Sequence, residues 1–160
     1  MNYRKAILPA LIPYFKKDDR LFLLYGDAGF GGIDELKKAF PDRICNVGIM
    51  EQGMVGIAAG MAMSGMIPVV FSFCNFLAFR ALEQIRNDIV LQNQNVKLIG
   101  TGAEDYFSFL GPSHTCGEKD LEIMHLVGMN IYNPYDNKSK YFKDYVETFM
   151  KSGKAGYLRV

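Results

Sequence analysis

An α/β domain of three layers, with a mostly parallel central sheet flanked by helices, follows from three features of the 160-residue chain. Short continuous apolar runs recur along it, each with turn residues near its ends. Segments with helical spacing separate these runs, and no repeat, low-complexity stretch or linker breaks the alternation. Continuous apolar runs fit strands buried on both faces, and alternating strands and helices are the pattern of a layered parallel sheet.

Six strands are predicted: "LFLLYGD" (21–27), "ICNVG" (44–48), "IPVVFSF" (67–73), "VKLIGTG" (96–102), "MNIYNP" (129–134) and "AGYLRV" (155–160). Helical patterns lie between them. The first, "YRKAILPALIPYF" (3–15), is expected to be irregular or broken by its two prolines. Then come "GIDELKKAF" (32–40), "MEQGMVGIAAGMAM" (50–63), "NFLAFRALEQIRNDIVLQ" (75–92), "EKDLEIMHLV" (118–127) and "NKSKYFKDYVETFMKSG" (137–153).

Composition narrows the function classes. Hydrophobic residues make up 49% and charged residues 22%, which is a globular balance, and 160 residues suffice for one domain with a real core. With a net charge of +1 and lysines scattered in pairs, the chain lacks the basic stripe of a nucleic-acid binder. Cys45, Cys74 and Cys116 are far apart and form no C-x-x-C pair, which argues against structural zinc and suits a reducing compartment. The N-terminus does not read as a signal peptide, so a cytoplasmic protein is expected.

Residues 53–74 carry no charge over a length that could span a bilayer. Four glycines, Pro68 and the turn-like "SGMIP" argue instead for a buried helix, a tight turn and a buried strand. At the mouth of this segment stands one acid, Glu51. A buried, unpaired carboxylate is costly, so Glu51 must be partnered or used. Taken alone it reads first as a helix N-terminal carboxylate satisfied by backbone amides. Gly53, Gly56, Ala59, Gly60 and Ala62 leave small surfaces on that helix, suited to close approach of another backbone, a second helix or a flat ligand.

Other features line up with Glu51. Phe73, Phe76 and Phe79 follow at spacings of three, "RALEQIRNDI" completes their helix, and "GPSHT" (111–115) puts His114 in a loop after the fourth strand. Alone, the phenylalanines would be a core stripe and His114 a structural loop histidine. Together with "FPDRICNVGIMEQGMVGIAAGMAMSGMIPVVFSF" and "GMNIYNPYD", these pieces resemble, in order and spacing, the pyrimidine-binding domain of transketolases and 1-deoxyxylulose-5-phosphate synthases. The likeness runs from about Leu21 to the C-terminus.

The resemblance implies a thiamine diphosphate-binding fold and that cofactor. It implies that Glu51 hydrogen-bonds the aminopyrimidine N1′, where a carboxyl group in a low-dielectric pocket shares a proton with the ring. Phe73, Phe76 and Phe79 fall at the positions of the family's aromatic pocket, Arg80 being an alternative ring contact, and His114 matches a histidine facing substrate. Asp27, in "YGDAGF", matches an acid in the turn after the first strand near the cofactor, although Gly29 and Phe30 depart from the family's pattern there. His125 is given no role.

The family holds the diphosphate through magnesium on a separate domain with a Gly-Asp-Gly…Asn segment. "YGDAG" is only superficially similar, since no asparagine pair follows at the right distance. No metal ligands are therefore expected on this chain. The expectation is a transketolase-like pyrimidine-binding domain over 1–160, without a diphosphate-binding domain or a C-terminal transketolase domain. A diphosphate-binding N-terminal-type subunit would complete the active site, as a heterotetramer or around a homodimer core. The implied reaction transfers a two-carbon ketol unit between sugars or sugar phosphates, with no nucleic acid or membrane involved. Two alternatives stay open: a beta-type subunit of a 2-oxoacid dehydrogenase or decarboxylase, whose helix also begins Glu-Gln-Gly, and a non-catalytic stabilising subunit.

Overall fold

The computed structural model describes residues 2–28, 32–136 and 141–160. Six strands form one parallel sheet: β1 (Leu21–Tyr25), β2 (Ile44–Asn46), β3 (Ile67–Phe73), β4 (Lys97–Thr101), β5 (Asn130–Tyr132) and β6 (Gly156–Arg159). Their order is β2-β1-β3-β4-β6-β5. All six lie within the predicted runs, and β2 stops two residues short of its expected end at Gly48.

Alternate residues of the strands feed two separate cores. Leu23, Val69, Phe71 and Ile99 pack on one face, under helices α1 (Tyr3–Phe15), α2 (Ile33–Ala39) and α6 (Phe142–Lys151). Leu24, Val70, Leu98 and Tyr157 pack on the other, under α3 (Glu51–Met63), the helical stretch 76–90 and α5 (Lys119–Leu126). The three expected layers are present. The uncharged segment resolves into α3, a turn at Ser64–Gly65 and the buried β3. Among the described residues no helix is long and apolar enough to cross a membrane.

Two expectations need correction. The first helix is continuous through Pro9 and Pro13. Each proline removes the hydrogen bond to the carbonyl four residues earlier. The carbonyls concerned belong to exposed Lys5 and half-buried Pro9, and the buried Ile7, Leu8, Leu11 and Phe15 anchor the helix from its other side. The second concerns 75–92, read as one α-helix. It consists of π-helical turns at Phe76–Arg80 and Ile85–Val90 on either side of a three-residue α4 (Leu82–Gln84). Such widened turns occur disproportionately at functional sites.

At the amino edge of the sheet Lys97 is fully buried, its Nζ donating to the carbonyls of Ser152 (2.6 Å) and Lys154 (2.7 Å). Burial pulls its amine down to about 8. Between that value and the ordinary lysine range the unfolded chain holds the extra proton, so this group makes stability rise with pH. The folding stability of the wild type relative to a Lys97→Met variant is expected to increase by about 1–3 kcal/mol from pH 7.5 to 10.5, read from urea melts at each pH.

Candidate functional site

The strand order places a crevice at one point of the carboxyl edge. From β1 the chain runs outward to β2, and from β3 it runs the opposite way to β4. Adjacent parallel strands whose connections diverge leave an opening at their carboxyl ends, where ligands bind in such sheets.

Glu51 lies there. It opens α3, where the helix dipole favours a carboxylate, and is fully buried. Its Oε1 accepts from the hydroxyl of Ser72, on β3, at 2.8 Å, and its Oε2 accepts from the Arg80 guanidinium. Glu51 is thus partnered by side chains, and the backbone-capped alternative is not what the fold uses. The cation is the more exposed partner, its side chain 40% exposed against 1% for the carboxylate. Gly26, just past β1, is needed for clearance: a Cβ there would stand 3.0 Å from the Gly48 carbonyl and 3.7 Å from Glu51 Oε1.

An aromatic wall adjoins the carboxylate. Phe73 ends β3 and Phe76 opens the first π turn, with ring centroids 5.2 Å apart. The His114 ring meets both edge-on, at 5.7 Å and 5.2 Å, and its Nδ1 is 3.0 Å from Ser113 Oγ. Phe107 extends the wall at 4.6 Å from Phe73. The Arg80 guanidinium lies 4.3 Å from the Phe76 centroid, linking wall and carboxylate through a cation–π contact. Asn75 donates from Nδ2 to the Ser113 carbonyl and holds the histidine loop against the helix.

The structure therefore brings Glu51, Phe73, Phe76 and His114 together. Phe79 is 54% exposed and sits on the rim, where it shares a crevice of about 410 Å³ with Asn75, Phe76, Arg80, Pro112, Ser113 and Thr115. The family resemblance grouped it with the other two rings; Phe76 and Phe79 stand three apart on a π turn, which is wider than an α turn, so they do not share a face. Asp27 is exposed, one residue beyond Gly26, in the left-handed region at φ 48°. Its amide donates to Asn46 Oδ1 at 3.2 Å, and its carboxylate accepts from Asn46 Nδ2 at 3.3 Å. It borders the site without touching Glu51 or the aromatic wall; Gly29 and Phe30 lie outside the described residues. The sequence reading missed Ser72, Asn75 and Phe107, polar or aromatic residues on the very elements it had singled out. Among the described residues no group of three or more His, Cys, Asp or Glu could hold a metal ion.

Beside the site lies a buried polar network. Asp120, on α5, and Arg159, at the end of β6, are both fully buried. Asp120 Oδ2 accepts from Arg159 Nε at 3.0 Å and from the Tyr157 hydroxyl at 2.7 Å. Gly100 makes room for that hydroxyl, which a Cβ at this position would strike. Burial pushes the Tyr157 hydroxyl and the Cys74 thiol well up, and the half-buried Cys116 thiol up to about 11. Burial also works against the Arg159 charge, but Asp120 and Glu104 outweigh it and hold the guanidinium charged.

Fold and site together define an α/β domain that offers a ligand a buried carboxylate and an aromatic wall at the carboxyl edge of a parallel sheet. The family model for the transketolase pyrimidine-binding domain matches residues 1–143, and the chain belongs to that family. It is 32% identical over 136 residues to a 6-deoxy-6-sulfo-D-fructose transketolase subunit of Clostridium sp. (strain MSTE9), covering 84% of this chain and 42% of that protein. It is 36% identical over 141 residues to the 1-deoxy-D-xylulose-5-phosphate synthase of Chlorobium luteolum, covering 84% of this chain and 21% of the synthase. Among solved structures, a split-gene transketolase in an inactive β4 tetramer superposes with a TM-score of 0.80 at 31% identity, over 98% of this chain and 50% of that one. The Campylobacter jejuni transketolase, at 18% identity and a TM-score of 0.75 over 97% of this chain and 24% of its own, shows the shared fold. The chain thus spans half or less of the length of these relatives. Membership of the family implies thiamine diphosphate as cofactor.

Proposed function

We propose that this chain is the pyrimidine-binding half of a split, thiamine diphosphate-dependent transketolase-like enzyme that transfers a two-carbon ketol unit between sugars or sugar phosphates. The observation that carries the reading is Glu51: a fully buried carboxylate beside an aromatic wall, held on one side by the exposable Arg80. The absent side chain at Gly26 and the flat faces of Phe73 and Phe76 suit a planar aminopyrimidine, so the residues present fit the cofactor.

When bound, thiamine diphosphate supplies the electron sink that the two-carbon transfer requires. Glu51 would hold a proton at its carboxylate and share it with the bound pyrimidine ring, and Ser72 orients that carboxylate through Oε1. Phe73 and Phe76 bind the ring and keep water from the carboxylate. Phe79 and Asp27 act at the rim. His114, fixed edge-on against both rings, holds a proton toward the substrate side. Magnesium and the diphosphate are held by a partner subunit of the diphosphate-binding type. The exposed apolar Ile49, Met50, Phe109 and Leu110, on loops at or next to this edge, and Phe79, on the first π turn, suit burial under that partner. A relative named as a transketolase subunit and the split-gene transketolase support a two-chain enzyme.

The test is purification from native cells followed by titration with thiamine diphosphate and magnesium. A stoichiometric partner bearing a Gly-Asp-Gly…Asn segment, and cofactor binding by the complex but not by the lone chain, are expected. Tight binding by the lone chain would sink the split-site reading.

A further inference from the structure

We propose that Asp105 is a positioning residue for His114: its carboxylate ties the start of the long loop after β4 to the residues just past the histidine. This deepens the proposed function, since the reason to hold His114 in place rests on that reading. The loop runs from Gly102 to Glu118 and contains only two short 3-10 turns, Ser108–Leu110 and Pro112–His114. A loop of this length has no register of its own and needs fixed points.

Its fixed points converge on two adjacent acids. Asp105 Oδ1 accepts the backbone amides of both Cys116 (3.2 Å) and Gly117 (2.9 Å), the second and third residues after His114. Glu104 accepts from Arg159 Nη1 at 2.6 Å, and the same guanidinium donates from Nη2 to the Gly117 carbonyl at 2.7 Å. Both ends of the loop are thereby tied to one another and to the last strand. Arg159 is in turn held by Asp120 at the start of α5, the helix into which the loop feeds.

Backbone conformation points the same way. Glu104 and Asp105 stand at φ 56° and 51°, consecutive non-glycine residues in the left-handed region. Such a pair is disfavoured and persists only where surrounding interactions determine it. Aspartate enters this region more readily than most side chains, so the strain falls mainly on Glu104, which its ion pair with Arg159 holds in place. The consequence falls on His114, whose ring is packed edge-on against Phe73 and Phe76, so that a small change in loop register would lift it from the wall.

The chain supplies its own probe, because it has two histidines. His114 lies within the ring currents of two phenylalanines, whereas His125 is exposed on α5 and serves as a reference. The experiment is NMR of the full chain, following imidazole C–H signals and backbone amides in wild type, Asp105→Gly and Asp105→Asn. Glycine adopts the left-handed conformation freely and deletes the acceptor, so it separates hydrogen bonding from strain. In Asp105→Gly the fold is expected to persist, amide exchange at Cys116 and Gly117 to quicken by about tenfold, and the His114 signals to move toward those of His125. Asparagine keeps one carbonyl acceptor and tolerates this φ, so Asp105→Asn is expected to restore the wild-type His114 signals. Unchanged His114 signals in Asp105→Gly, or equal displacement in both variants, would overturn the proposal. Neither readout needs cofactor, substrate or partner. Failure here therefore leaves the thiamine reading standing, and failure of that reading leaves these spectra to be judged on their own.

Discussion

Turnover by the assembled enzyme is expected to fall by about 10²–10⁴ when Glu51 is replaced by glutamine, with the fold retained. Glutamine keeps the shape and one carbonyl oxygen, so either Ser72 or Arg80 retains an acceptor. What it loses is the ability to hold and release a proton. The Arg80 side chain is 40% exposed and can turn to water, so the structural cost stays near 1–2 kcal/mol rather than the larger figure for a stranded buried charge. Thermal melts of the chain and steady-state assays of the complex measure the two effects separately. Unaltered turnover in the folded variant would remove Glu51 from the chemistry and return the chain to a stabilising role.

The largest effect on stability is expected at Asp120. Truncation to alanine leaves the fully buried Arg159 guanidinium without its buried counter-ion and the Tyr157 hydroxyl without its acceptor. Glu104 remains on Arg159 but is half exposed, so it replaces little of what is lost. Breaking a buried pair from one side costs about 3–5 kcal/mol, which lowers Tm by about 10 °C in a chain of this size. Removing both charges together, as Asp120→Leu with Arg159→Met, is expected to recover much of that loss, because the stranded charge is gone. Urea unfolding of the single and double variants is the measurement. Equal destabilisation by the single and double changes would mean that the network acts through shape and not through charge.

What could be read from the sequence follows from where the signals lie. The strands were legible because parallel strands buried on both faces are continuous apolar runs, and the uncharged segment 53–74 broke at its own turn. Glu51 was legible as an anomaly, one acid beside a long stretch without charge. The helix at 3–15 was misjudged because its prolines were weighed without knowing that the unpaired carbonyls belong to residues solvent can reach. The π turns at Phe76–Arg80 and Ile85–Val90 were invisible, since apolar spacing does not distinguish them from α turns over so few residues. The exposed rim position of Phe79 follows from the first of these turns. The network of Asp120, Tyr157 and Arg159 joins residues 37 and 39 positions apart, and each taken singly looks like a capping acid, a strand tyrosine and a terminal arginine. Their partnership is a property of the strand order, which places β6 between β4 and β5.

The pairing of Glu51 with Arg80 has a consequence for how this chain can be recombined with its relatives. The two residues stand 29 positions apart and bracket a helix, a strand and a π turn with no charge between them. The acid at one end is answered by the base at the other, so the block from 51 to 80 is electrically closed. Exchanged whole between relatives, such a block would bring its own counter-ion. Joints placed inside it would separate the two charges and strand a carboxylate in the interior wherever the relative carries no base at the position of Arg80. The natural seams for chimeras lie just before Glu51 and just after Arg80.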